Sequence, residues 1–208
     1  MTNQLIESRT KRLVILALFS ALIAVMAFTV GYIPLGFMNA TIIHIPVIIG
    51  AVLLGPVNGG ILGFVFGLTS LINNTIRPNI TSFVFTPFYS LDPRFSGSFK
   101  SLLICFVPRI LIGVLSALLF RALSKTKLKG GISLAVTGFV GSMVNTVFVM
   151  GGIYFLYGES YAAAKDMGFS ALLGVIMGVI GMQGVPEAIV AAILTAAITV
   201  PVMKYLKR

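Results

Sequence analysis

From residue 12 to residue 204 the chain is a succession of apolar segments, each long enough or nearly long enough to cross a lipid bilayer. A spanning helix needs about 20 mostly apolar residues for a hydrocarbon core of about 30 Å. Six segments qualify, at about residues 13–35, 41–54, 59–72, 101–123 and 132–157, with the sixth in the block 168–203. That last block is too long for one straight crossing and must be divided. Pro186 is the natural divider, because proline is tolerated in the first turn of a helix, where its missing N–H is not needed. The sixth helix is therefore expected to start near Val185, and 168–184 to form an outer segment that caps or dips into the bundle. With 58% hydrophobic and 10% charged residues and a mean hydropathy of +1.06, the chain cannot present a water-soluble surface. The expectation is an all-α membrane protein of six transmembrane helices, a single integral-membrane domain over residues 1–208.

The charges orient it. Lys and Arg are retained on the cytoplasmic side. Arg9, Lys11 and Arg12 precede the first segment; Arg121, Lys125, Lys127 and Lys129 join the fourth and fifth; Lys204, Lys207 and Arg208 close the sequence. Ten of the fifteen cations thus fall on one face, with Glu7 as the one acid among them, so both termini are expected inside and a substrate pocket opens outward. A basic membrane face accounts for the net charge of +10 without nucleic acid. The first segment has a positive start but no small-residue cleavage site, and its apolar run is too long for a secretory signal, so it is expected to stay attached. One cysteine, Cys105, permits no intrachain disulfide.

The sequence holds no phosphate loop of the G-x-x-x-x-G-K-[ST] type, no H-E-x-x-H, no Cys/His cluster and no G-x-S-x-G elbow, and it has a single histidine. An enzyme with its own ATPase, a metal site or a bound cofactor is not expected.

The informative residues are then the few polar ones at membrane depth, where an ionisable group costs several kcal/mol and normally faces a cavity or a partner. Arg109 lies about eight residues into the fourth segment, roughly 12 Å below its outer end. Asn145 sits in the middle of the fifth. Gln183 and Glu187 are four apart at the outer start of the sixth, on one face if the helix already includes Gln183. Arg109 either ties helices together through an ion pair with Glu187 or holds an anionic group of a substrate bidentately. For Glu187 a place in the first turn, favoured by the helix dipole, is a further reading. Asn145 either bridges helices or faces ligand.

The linker 73–100 carries three prolines and clustered Asn, Thr, Phe and Tyr, which suits a lid on the outer mouth. It would contribute Asn73, Asn74 and Tyr89, opposed by the loop 31–40 with Asn39; Phe83, Phe85 and Phe88 serve either that lid or interfacial anchoring. His44, near the outer start of the second segment, is a further candidate, although a lone histidine is more often a packing residue. Two runs of small residues stand apart: Ala17 and Ala21 one turn apart in the first segment, and Gly59, Gly63 and Gly67 in the third. Such faces serve internal packing or docking of another protein.

The chain resembles the substrate-binding S components of energy-coupling factor (ECF) vitamin transporters. The resemblance is carried by A-L-F-S-A at Ala17 and Ala21, by H-I-P-V-I-I-G-A-V-L-L-G-P ending at Pro56, by G-G-I-L-G-F-V-F-G-L-T-S ending at Ser70, and by G-V-P-E-A-I-V-A-A-I-L-T from Gly184. It implies a multi-pass protein of the bacterial plasma membrane that captures a vitamin with high affinity and docks through Ala17 and Ala21 onto a transmembrane coupling subunit driven by two cytoplasmic ATPases. The wording of H-I-P-V-I-I-G and T-S-F-V-F-T-P-F-Y looks most like the pantothenate-specific members. Pantothenate, an anion with one amide and two hydroxyls, suits one arginine with amide partners. Pyridoxine, folate or riboflavin, and a self-sufficient carrier of a small anion, are the alternatives.

Overall fold

The computed structural model describes residues 8–29, 32–34, 39–90, 95–128 and 130–206, with residues 32–34 and 39–41 described by their backbone alone. The regular structure among the described residues is helical apart from one short strand pair and an isolated bridge, Ser90 with Ser96. Its helices are α1 (Arg9–Phe28), α2 (His44–Leu54), α3 (Pro56–Ile76), α4 (Phe99–Leu123), α5 (Gly130–Ala164), α6 (Phe169–Val179) and α7 (Val185–Leu206). Five continuous helices are long and apolar enough to cross a membrane, α6 and α7 forming one of them over 38 residues, and the shorter α2 completes the six expected.

Helix α1 stops at Phe28, short of the expected end at residue 35. Apolarity continues past it, but Thr29 leaves the helical backbone, with φ −113° and ψ −84°. The chain then turns into strand β1 (Tyr32–Pro34), antiparallel to β2 (Asn39–Thr41) with Ile33 opposite Ala40. Hydropathy measures a preference for lipid and carries no information on where backbone hydrogen bonding ends, so it overran the helix.

Helix α2 is the centre of the molecule, all eleven of its residues being buried. It passes into α3 through Gly55, whose φ of 89° lies in the left-handed region open to glycine, and Pro56 then takes the first helical position of α3. Along α3 the expected glycine face packs on α4. A Cβ at Gly63 would fall on the carbonyl of Arg109, and one at Gly113 on the carbonyl of Gly59. The two backbones therefore touch, as small residues allow in lipid. That contact fixes the depth and rotation of Arg109.

Asn73 and Asn74 are expected in the lid loop from the sequence; helix α3 instead runs to Ile76 and takes both into its last turn. The reason is local: Asn74 Nδ2 donates to the Ser70 carbonyl at 2.9 Å and Thr75 Oγ1 to that of Leu71 at 2.8 Å. Helix α5 extends seven residues past the expected 157, to Ala164. Gly158 admits the ring of Phe169 there, letting α6 pack on the extension.

The block 168–203 is divided without a break. A π-helical turn, Ile180–Gly184, joins α6 to α7, and α7 starts at Val185. The Val185 N–H donates to the Ile180 carbonyl, so the start of α7 is not a free helix end. The expected cap is a continuation of the same rod.

Candidate functional site

A cavity of about 230 Å³ opens where the C-terminal turn of α3, the linker after it, the first half of α4, the middle of α5 and the π-turn converge. By the distribution of Lys and Arg this is the outer half of the bundle. Of the residues singled out in the sequence, Asn74, Arg109, Asn145, Gln183 and Glu187 line it. Segments far apart in sequence thus bring one cation, one carboxylate and three amides to a single space.

Arg109 forms its inner wall and is 7% exposed. One donor is spent within its own helix, Nη1 to the Ile104 carbonyl at 2.7 Å. Its Cζ lies over the rings of Phe66 on α3, at 5.6 Å, and Phe85 of the linker, at 5.2 Å. Aromatic faces attract a guanidinium and hold its plane. A guanidinium has five N–H donors in a rigid fork, so fixing the plane fixes the directions of the others.

Across the cavity, Gln183 Nε2 donates to Glu187 Oε1 at 3.1 Å. They share a face because the π-turn keeps Gln183 helical; π-bulges recur at functional sites for this reason, since an extra residue re-aims a side chain without ending the helix. The dipole reading of Glu187 weakens accordingly, because the first-turn amides of α7 continue an existing helix. Asn145 Oδ1 is buried and has no hydrogen-bond partner among the described residues. An amide oxygen desolvated in this way is costly unless something supplies a donor.

The linker closes the cavity with Asn79, Thr81 and Phe85. Two polar anchors hold it. Ser82 Oγ donates to Asn74 Oδ1 at 3.0 Å and accepts from the Asn79 N–H at 2.9 Å. Ser101 Oγ, at the start of α4, donates to the Phe83 carbonyl at 2.7 Å and lies 2.7 Å from the Tyr157 hydroxyl. The three phenylalanines take different roles: Phe83 is fully buried, edge-on to Tyr157 at 5.7 Å, Phe85 faces Arg109, and Phe88 is 76% exposed. Interfacial anchoring therefore fits Phe88 alone.

Other candidates lie elsewhere. Asn73 does not line the cavity; its carbonyl accepts from the Arg77 N–H at the end of α3. Tyr89 packs with Phe83, Val84 and Ile104 in an apolar cluster. His44 is 1% exposed in the first turn of α2, away from the cavity, a packing position. Asn39 stands in β2 and its side chain is outside the described ones. Conversely, Ser70, Asn79, Thr81, Thr146 and Met150 line the cavity without having been singled out. The N-I-T run at Asn79 and the neighbour of Asn145 at Thr146 were the available signals.

The small-residue face of α1 is not internal packing in this chain. Ala17 and Ala21 are exposed, flanked by Leu18 at 64% and Val25 at 59%.

The sequence profile of the family described as "ECF transporter, substrate-specific component" matches residues 11–199. The chain is similar to the pantothenic acid transporter PanT of Lactococcus lactis subsp. cremoris (strain MG1363), 34% identical over 196 residues that cover 92% of this chain and 93% of that protein. It is also similar to the pantothenate transporter PanT of Leuconostoc mesenteroides subsp. mesenteroides, 31% identical over 203 residues, with 92% of each covered.

Proposed function

Since the chain belongs to the substrate-specific components of ECF transporters, we propose that it captures pantothenate from outside the cell in the cavity at Arg109 and passes it inward through a docked ECF module. It is a multi-pass membrane transport subunit. The observation that carries the ligand reading is the buried guanidinium of Arg109, set beside two aromatic rings at the wall of a cavity whose other polar lining is amides, hydroxyls and the Glu187 carboxylate. That donor set suits a small molecule with one carboxylate, one amide and hydroxyls. The names of both relatives support the same ligand.

In this reading Arg109 takes the carboxylate, because a charge-assisted bidentate bond is the strongest the cavity offers. Asn145 Oδ1 accepts from a ligand hydroxyl or amide, which would satisfy an oxygen otherwise buried without a donor. Gln183, Glu187, Asn74, Asn79 and Thr81, which line the same cavity, take the remaining polar atoms, and the linker seals the outer mouth. Membership of the family supports partners as the source of free energy for uptake: a transmembrane coupling subunit and two cytoplasmic ATPases in the bacterial plasma membrane. Ala17 and Ala21 are the docking point on α1, whose exposed apolar face supports that role.

The test is isothermal titration of the detergent-purified chain with pantothenate, pyridoxine, folate and riboflavin, each alone. Nanomolar binding of pantothenate is expected. Tight binding of another vitamin would replace the ligand and keep the mechanism. Uptake by liposomes containing this chain alone, without the ATPase partners, would overturn the division of labour.

A further inference from the structure

We infer that Pro108 is a positioning residue for the anion site: by removing one backbone donor it frees the Ile104 carbonyl, and that carbonyl holds the Arg109 guanidinium in its binding pose. In an α-helix the N–H of residue i bonds the carbonyl of residue i−4. Pro108 is inside α4 and has no N–H, so the bond to Ile104 that a regular helix would make is missing. A proline ring inside a helix also crowds the carbonyl four residues before it. Arg109 Nη1 donates to the Ile104 carbonyl at 2.7 Å. The buried Ile104 and Pro108 leave little water to compete for the carbonyl. A proline in the interior of a spanning helix is costly, and here the cost has a local return: an acceptor one turn before the arginine that locks one of its donors.

The lock complements what the rings do. Phe66 and Phe85 flank the Arg109 Cζ at 5.6 and 5.2 Å from their ring centroids, and the Ile104 carbonyl holds Nη1. With both set, the guanidinium is ordered before ligand arrives, and pre-ordering of this kind raises affinity by removing an ordering cost from the binding step. Restoring an N–H at position 108 would return the carbonyl to the helix and release Arg109 to rotate.

This inference rests on the reading of Arg109 as the anion holder, and the experiment separates the two. Pantothenate and its neutral alcohol analogue, in which CH2OH replaces the carboxylate, are titrated against the full chain in lipid nanodiscs as wild type, Pro108→Ala, Arg109→Ala and the double variant. Pro108→Ala is expected to weaken pantothenate by about tenfold or more, to leave the alcohol within about twofold, and to melt no lower than wild type. The double variant should bind pantothenate no worse than Arg109→Ala alone. The Nη resonances of Arg109, inequivalent in the wild type, should average in Pro108→Ala. Full pantothenate affinity in Pro108→Ala beside a loss in Arg109→Ala would overturn the inference and keep the anion reading. Equal losses for both ligands, or losses that add in the double variant, would make Pro108 a structural bend and also overturn it. Unchanged pantothenate binding by Arg109→Ala would sink the anion reading and this inference together.

Discussion

Helices α1 and α4 are both apolar and both long enough to span a bilayer, yet they are opposites in use. In α4 close to half of the most apolar window is buried within the protein; in α1 about a tenth is. Helix α4 is held on two sides, by the glycine face of α3 and by α5, and carries the buried Arg109. Helix α1 rests one edge, at Ile23 and Ala27, on the core and turns Ala17 and Ala21 outward. The difference teaches that the same small-x-x-x-small pattern serves two ends. Where a partner helix of the same chain occupies it, the pattern sets the depth of a functional side chain; where none does, it leaves a smooth apolar surface for lipid or another protein.

The largest break in that contrast should come from filling the occupied face. Gly63→Leu would drive a side chain into the Arg109 carbonyl, so α3 and α4 must separate. A loss of about 3 kcal/mol of stability is expected, with ligand binding abolished. Thermal melting in detergent together with titration checks it; a variant that melts as the wild type would show that the two backbones do not touch.

Next in size is the removal of the cation that this contact positions. Arg109→Ala should weaken pantothenate by about 2 to 5 kcal/mol, as for truncating one partner of a buried charge pair, with folding retained. Titration at fixed ionic strength reads it directly.

A smaller effect sharpens the picture of the cavity. Asn145→Leu should cost about 1 to 3 kcal/mol of ligand affinity while leaving the melting temperature of the ligand-free protein unchanged or higher, because the buried Oδ1 that lacks a donor is removed. A drop in ligand-free stability would mean that Asn145 bridges helices instead.

The smallest effect on binding belongs to the unoccupied face. Ala17→Phe with Ala21→Phe should change ligand affinity by less than about 0.5 kcal/mol, as for surface substitutions, while abolishing uptake in cells that supply the ECF module. Loss of binding in this variant would return the α1 face to internal packing and erase the contrast with α3.

Several parts of the site were legible in the chain. Arg109, Asn145, Gln183, Glu187 and Asn74 stood out because polar groups at membrane depth are rare and need a partner, and the structure gathers all five around one cavity. His44 and Tyr89 could not be sorted in the same way. Both lie near the outer surface, where polar residues are common and direction, invisible in a linear pattern, decides whether a side chain meets a cavity or a core. Asn73 and Asn74 are neighbours, yet one lines the cavity and the other does not, since consecutive helical residues point about 100° apart.

Composition and spacing were enough to establish the helical class, the run of apolar segments and the few polar groups at membrane depth. Each of these follows from residue type and spacing against a bilayer of known thickness. Tertiary structure alone decided where α1 and α5 end, that α6 and α7 form one rod through a π-turn, and which small-residue face is occupied. It also decided that the guanidinium of Arg109 is held between two rings and a carbonyl of its own helix. Those features depend on hydrogen bonds within helices and on contacts between segments distant in the chain, and hydropathy, which scores each residue against lipid, contains no information about either.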